Sequence, residues 1–511
     1  VARVDLDDAS LFGESDARLP VEQEGLRRYF LQPPGYADIL LGRKLIIAGR
    51  KGMGKTAIRT KLLELTDSVV HVDIEPLVPN HRVFSLYAES VEGTSTASFA
   101  TYEYAWRAYI VAAVLRHLVQ NRLLGMSDRM RALAYVERLT GPTAKAQLWD
   151  RIREISVSFG DLLSVSASVD APSVRRALPT ETELPLLIEM LHRASEEART
   201  RIIVLVDRVD QQLEEALKGE LFYTYAKYVG GLCLAVARLA SSVPPKRLSL
   251  YAFVREDLLD EVWPRLHNAT EFEGLVHRLN WRMDHLMDML ALRISTATRQ
   301  QYEVALPYDE KRERFFSGAM LYSVFDRIKL DQLGVWKYFL VHTHMRPRDL
   351  INICNACRKE AADSYKDIID DASINRAMHI YSTQRYNDIH ATYRWMISGL
   401  GPLLESFKPG PFARSRESLI QHIDQTVAAK SVEDVTCGNS SAEHLLRLLY
   451  RMGFLVTPAT DDRLPYLAHY LEPHLRVDRR DRWLIHPAFI REIADGEAAP
   501  NIREYLGISR E

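Results

Sequence analysis

The chain has 511 residues, 47% of them hydrophobic and 26% charged, with a formal net charge of −2. That length suggests two to four domains, and the charge balance leaves no global field to recruit nucleic acid or an acidic membrane. Four cysteines (Cys233, Cys354, Cys357, Cys437) are too few and too scattered for a disulfide framework. The N-terminal V-A-R-V-D-L-D-D has no apolar signal core, and the most apolar long stretch, Tyr228–Val243, is interrupted by Arg238 and is too short to span a bilayer. The expectation is a cytoplasmic protein with no membrane contact.

Residues 1–43 precede the first strand. Val21–Leu31 has helical spacing and Pro33-Pro34-Gly35 marks a turn. This segment is expected to pack near a nucleotide site. The apolar run Leu45–Ala48 then leads into G-x-x-x-x-G-K-T from Gly49 to Thr56, the P-loop pattern. Gly49 turns the chain off the strand. Gly52 and Gly54 let backbone N–H groups close around phosphate oxygens, Lys55 reaches the terminal phosphates and the Thr56 hydroxyl holds Mg²⁺. The candidate nucleotide-binding residues are Gly49, Gly52, Met53, Gly54, Lys55, Thr56 and Ala57.

Val69–Ile74 alternates like a strand. Helices are expected around Ala100–Leu123 and Ser127–Leu139, a hairpin within Ile155–Val169, and a helix over Glu183–Arg199. Arg201–Asp210 holds five consecutive β-branched or Leu residues, a strand buried on both faces. A helix follows at Leu217–Ala240, then strands at Leu248–Val254 and Phe272–Leu279. Strands alternating with helices predict an α/β fold with a doubly wound, mostly parallel sheet. From Trp281 the pattern turns helical, over 281–297, 310–328, 333–342, 347–363 and 373–398. After Gly399-Leu400-Gly401-Pro402 come helices near 403–407, 415–428 and 441–452 and two strand-like pieces, Phe454–Val456 and Trp483–Ile485. Three helices and a two-stranded wing describe a winged-helix-like domain. The expected organisation is therefore an N-terminal segment 1–43, a core 44–280 with an insertion at about 85–195, a helical lid 281–398 and a winged-helix-like domain 399–511.

A P-loop needs a metal-positioning acid from a neighbouring strand, and Asp207 fits. Asp210 is placed to activate the attacking water or to face solvent. Arg255 ends a core strand and either touches the terminal phosphate or pairs with Glu256 or Asp257. Arg348, in Arg346-Pro347-Arg348 at a helix start, either reaches the phosphate when the lid closes or is a charge near the cap. Cys354-x-x-Cys357 shares one helix face; core cysteines are favoured over a zinc site with His342 and His344. Residues 401–511 carry 14 Lys and Arg against 16 Asp and Glu, so DNA contact through the charged tip Arg476–Arg482 is not favoured.

The order of P-loop, strand-end acid, strand-end arginine, Arg-Pro-Arg lid and winged helix resembles AAA+ and STAND-type ATPases. Within them it is most similar to the prokaryotic branch related to origin-recognition ATPases. G-R-K-G-M-G-K-T-A-I (49–58) and R-P-R-D-L-I (346–351) resemble a bacterial P-loop ATPase family found among defence and signalling genes. The resemblance implies Walker A roles for Lys55 and Thr56, Walker B for Asp207, sensor 1 for Arg255 and sensor 2 for Arg348. Metal would be held by Thr56 and Asp207. It departs from the AAA+ pattern at Arg208, where the acid is usually followed by Glu, whereas Asp207–Asp210 satisfies the D-x-x-D/E of STAND-type proteins. The implied protein binds ATP and Mg²⁺, hydrolyses ATP slowly, and uses it to control assembly into a homo-oligomer or binding to a protein partner or separate effector chain. The competing readings are a DNA-binding origin-recognition-like ATPase and a P-loop phosphotransferase.

Overall fold

In a computed structural model of the chain, the described residues are 5–8, 10–65, 69–74, 98–120, 182–197, 201–209, 221–243, 247–266, 269–302, 323–326, 329–330, 333–435, 437–459, 464–495 and 499–507. They divide into two compact units, Gln32–Asn280, and Val1–Leu31 together with Trp281–Glu511. The N-terminal segment is thus cut between residues 31 and 32. The expected helix Ser127–Leu139, the hairpin Ile155–Val169, Asp210 and most of 310–328 lie outside the described residues.

The Gln32–Asn280 unit is built on a parallel five-stranded sheet. Its strands are β1 (Ile46–Ala48), β2 (Val69–Asp73), β3 (Arg201–Val206), β4 (Leu248–Val254) and β5 (Val276–Arg278), in the order β2-β3-β4-β1-β5. The central strands are buried on both faces, β1 and β4 along their whole length and β3 beyond its first residue. Continuous β-branched and Leu runs have no solvent face to spend on polar residues. β5, at the edge, is shorter than expected. Phe272 ends a helical turn (Ala269–Phe272) and packs edge-on against Trp263 at 5.4 Å, so the apolar residues before Val276 serve a corner of the core.

Helix Phe99–Gln120 packs against helix Leu221–Ser242 through a pair of glycines. A Cβ on Gly231 would lie 2.6 Å from Tyr102 Cβ and 2.8 Å from the Tyr102 carbonyl carbon. Trp106 closes the contact: its ring lies 4.9 Å from that of Tyr228, and its indole N–H donates to the Tyr228 carbonyl at 2.8 Å. The glycines therefore let the two helices approach to backbone distance, and the aromatic pair fills the space on either side.

The other unit opens with helix Pro20–Tyr29, tied to helix Met283–Tyr302 by the buried pair Glu22–Arg293 at 2.6 Å. Helices Val335–Val341, Pro347–Ala362 and Asp371–Tyr393 follow. Two-residue strands at Lys329–Leu330, Leu333–Gly334 and Ile397–Ser398 flank these helices. Beyond Gly399 come helix Leu400–Glu405, strand Ala413–Ser415, helices Arg416–Lys430 and Ala442–Arg451, and strands Leu455–Pro458, Tyr466–Leu467 and Arg482–Ile485. The four strands form one antiparallel sheet, in which Leu455 pairs with Ile485 and Trp483 with Arg414. The strands at 413–415 and 466–467 are additions to the two-stranded expectation. Among the described residues, no helix is long and apolar enough to cross a membrane.

Three buried histidines join these helices to the C-terminal sheet region. His342 Nδ1 lies 2.7 Å from the Tyr338 carbonyl and so donates to it, and His344 Nε2 likewise donates to the Gly453 carbonyl at 3.0 Å. His486 Nδ1 accepts from the Ala488 N–H at 3.1 Å, which leaves its Nε2 protonated and donating to the Tyr470 hydroxyl at 2.8 Å. The rings of His344 and His486 stack at 4.4 Å. Burial and the neighbouring Arg491 hold His342 down to about 3. Burial, with His342 nearby, holds His486 well below the usual histidine range.

Candidate nucleotide-binding site

The strand order sets the site. β4 stands between β1 and β3, with Val254 beside Ala48 and Ala252 beside Val206. Gly49, Asp207 and Arg255 therefore emerge side by side at the carboxyl edge of the sheet, where parallel sheets place ligands.

The loop after β1 is held by the sheet. Gly49 N–H donates to the Val254 carbonyl at 3.2 Å and Glu256 N–H donates to the Gly49 carbonyl at 3.4 Å. A Cβ on Gly49 would come within 3.2 Å of Leu279 and 3.3 Å of Met53, so this turn also has little room. Met53 itself is buried. Gly52 and Gly54 have φ of +88° and +95°, left-handed values that a side chain strains. Gly54 is the N-cap of helix Lys55–Leu63 and makes no side-chain cap; a Cβ placed there would meet nothing within 4 Å. An uncapped helix N-terminus facing open space offers orphan N–H groups and the positive end of the dipole to an anion. Ala57 lies in the first turn of that helix.

Lys55 Nζ donates to the Gly49 carbonyl at 2.6 Å and to the Arg50 carbonyl at 3.3 Å. The loop's own carbonyls thus park the ammonium at its mouth. Thr56 Oγ1 donates to Asp207 Oδ2 at 3.4 Å. The other oxygen, Asp207 Oδ1, accepts from the Arg208 N–H at 2.8 Å. Arg208 has φ +63°, so β3 ends in a left-handed non-glycine residue whose amide fixes the acid before it. That strained exit was not readable from the sequence. Asp207 is buried, and its carboxylate and the Thr56 hydroxyl form an oxygen pair of the kind a hard divalent cation takes. The donor set therefore fits a nucleotide triphosphate with Mg²⁺.

Arg255 is buried and grips Asp257 two-handed, with Nε at 3.1 Å from Oδ1 and Nη2 on Oδ2. The pairing with Asp257 weighed from the sequence is present, although inside the protein rather than on its surface. Arg348 belongs to the other unit. Its Nε donates to the Ser15 carbonyl at 3.3 Å, and burial together with Arg346 lowers its pKa from the usual arginine value. Its neighbour Arg346 grips Asp349 through Nε at 2.9 Å and Nη2 at 2.8 Å. Cys354 and Cys357 are buried, and burial pushes both thiols up.

A Walker-type loop on β1, an acid on β3 and an intervening β4 define the class: an α/β P-loop NTPase fold with a helical C-terminal region. Residues 284–390 match the family model described as the FunZ-associated C-terminal helical domain. The chain is also similar to several solved structures. One is Cdc6p from Pyrobaculum aerophilum (14% identity, 97% of this chain and 100% of that chain, TM-score 0.29). Another is Aeropyrum pernix ORC1 in complex with DNA (12%, 95% and 96%, TM-score 0.34). A third is A. pernix ORC2 in ADPNP–ADP complexes (14%, 96% and 97%, TM-score 0.35). No curated protein matches the chain in sequence.

Proposed function

We propose that the chain is an ATP-binding switch that hydrolyses ATP slowly and, through the state of the bound nucleotide, controls its own assembly or the binding of a partner protein. The observation that carries this reading is the meeting of Thr56 and Asp207 beside an open, uncapped P-loop. Gly49–Ala57 would cradle the phosphates. Lys55 would exchange its two loop carbonyls for phosphate oxygens, and Thr56 with Asp207 would hold Mg²⁺. The metal, when bound, neutralises charge building on the terminal phosphates. Slow turnover follows from Arg208 occupying the position where a water-activating Glu is usual. Arg255 and Arg348 are the residues proposed to register the terminal phosphate. For Arg255 this requires release from Asp257, which makes the Asp257 contact the resting position of the sensor.

A duplex-binding role has less support. The C-terminal residues carry no positive excess, and at the charged tip Arg476 is paired with Asp478. A phosphotransferase would need, besides the P-loop, a pocket for an acceptor. Calorimetry with ATP and Mg²⁺ tests the main reading: Lys55→Ala is expected to weaken binding by roughly tenfold or more, as for a lost charge-assisted contact. Unchanged binding would remove the site assignment.

A further inference from the structure

We propose that Asp434, Cys437 and His444 form a zinc-binding site that pins the loop before helix Ala442–Arg451. Asp434 and Cys437 lie in the stretch between helices Arg416–Lys430 and Ala442–Arg451, His444 lies in the first turn of the second helix, and their ligand atoms all fall within 4.8 Å of one another. His444 Nε2 is 2.6 Å from Asp434 Oδ2 and 3.7 Å from Cys437 Sγ, and Cys437 Sγ is 3.3 Å from the same Asp434 oxygen.

The convergence discriminates between two chemistries. In a thiol–imidazole–carboxylate relay, the thiol and the carboxylate address opposite ring nitrogens, so that a proton can pass through the ring. Here both face Nε2, and the three donor atoms lie within 4.8 Å of one another. That is how ligands of a single ion are arranged. The donors are one oxygen, one nitrogen and one sulfur, a mixture that suits Zn²⁺ and does not suit Mg²⁺. With Cys437 deprotonated and His444 neutral, the set carries two negative charges and neutralises a dication. Cys437 gives its proton to solvent on binding.

Ordinary zinc bond lengths at tetrahedral angles put sulfur about 3.5 Å from its fellow ligands and nitrogen about 3.3 Å from oxygen. The two sulfur distances already bracket that value. The His444–Asp434 contact is shorter and would open by a small turn of the imidazole. The backbone is set in advance: Gly438 and Cys437 N–H donate to the Asp434 carbonyl at 2.8 and 3.4 Å, and Asp434 N–H donates to Asn439 at 3.1 Å. Strand Glu433–Asp434 pairs with Ile397–Ser398, directly before the left-handed Gly399. The ion would therefore lock the loop to the strand Ile397–Ser398. Among the described residues three ligands converge.

The test uses the full chain, stripped with EDTA and free of nucleotide, titrated with Co²⁺ in the presence of excess Mg²⁺. Wild type should develop visible tetrahedral bands and a near-ultraviolet sulfur-to-cobalt band, both erased by one equivalent of Zn²⁺. Cys437→Ser, a change at an exposed position, should lose the sulfur band and more than about tenfold in affinity, since even outer-sphere changes cost 10–100-fold. Alkylation of Cys437, followed by mass spectrometry, should be slowed by Zn²⁺ in wild type and unaffected in His444→Ala. Absence of cobalt bands in wild type overturns the proposal, and so do bands that persist unchanged in Cys437→Ser or alkylation indifferent to zinc.

Discussion

Thr56 and Asp207, 151 positions apart in the chain, meet at 3.4 Å across the carboxyl end of β4. One residue opens the P-loop helix and the other closes β3. Their contact exists only because β4 is threaded between β1 and β3 and sets both at the same edge of the sheet.

The first prediction follows from that contact. Asp207→Asn and Thr56→Val leave the phosphate loop intact and remove half of the oxygen pair. ATP affinity in EDTA should stay near the wild-type value, while the gain on adding Mg²⁺ should shrink by roughly tenfold, as for a hydrogen bond to a charged group. Titration calorimetry with and without the metal reads the difference. A full Mg²⁺ gain in Asp207→Asn would place the metal elsewhere.

Two glycines should respond to alanine in opposite ways. At Gly54 a methyl group meets nothing but imposes a left-handed side-chain-bearing residue, costing about 1–2 kcal/mol, and it intrudes where phosphate would lie. Gly54→Ala is expected to lose ATP binding by far more than its strain of about 1–2 kcal/mol lowers its stability. Gly231 sits inside a helix, where alanine is ordinarily favoured by about 1 kcal/mol. Its Cβ would collide with Tyr102 at 2.6 Å, so Gly231→Ala should instead destabilise by about 1–3 kcal/mol with nucleotide binding intact. A stabilised Gly231→Ala, measured by urea unfolding, would contradict the close helix contact.

The buried histidines predict acid sensitivity. His342 and His486 stay neutral in the folded protein far below the ordinary histidine pKa, because burial opposes the charge. As pH falls from about 6.5, the unfolded chain takes up protons that the folded chain refuses, and stability falls. Between pH 7 and pH 5 the loss is about 2 kcal/mol per histidine. Asp349 acts lower on the scale. Burial alone would raise its carboxyl pKa, but Arg346 and Arg385 outweigh burial and hold it below the usual range, so its stabilising contribution is lost only in stronger acid. Unfolding midpoints at pH 7, 6 and 5 check this, and His342→Gln should flatten the slope. A pH-independent midpoint over that interval would contradict the assignment of both rings as neutral.

The parts of the fold legible in the sequence are those where burial leaves the sequence no freedom. The expected strand Leu248–Val254 is found to the residue, because every position in it is buried. The P-loop is legible for a different reason: Gly52 and Gly54 are demanded by left-handed backbone geometry, and they stand at a fixed spacing from Lys55. Edge elements are not legible. β5 is three residues long and half exposed, and Ala413–Ser415 carries Arg414 in its middle. Neither presents an alternation long enough to stand out. The arginines of Arg346-Pro347-Arg348 look alike in sequence, whereas the structure commits Arg346 to Asp349 and sets Arg348 against the Ser15 carbonyl. Cys354-x-x-Cys357 has a metal-like spacing and is buried in a helix, while Asp434, Cys437 and His444 have no familiar spacing and converge through a turn. Spacing reports proximity along a helix or loop; it is blind to what a turn brings back.

On the proposed function, the terminal phosphate held at Lys55 sets the assembly state of the molecule. Mass photometry of the purified chain with Mg²⁺ and either ADP or a slowly hydrolysed ATP analogue tests it most directly. The mass should shift toward multiples of the protomer with the analogue only, and the shift should vanish in Lys55→Ala. An identical mass distribution with both nucleotides, at concentrations where calorimetry shows both bound, would contradict it.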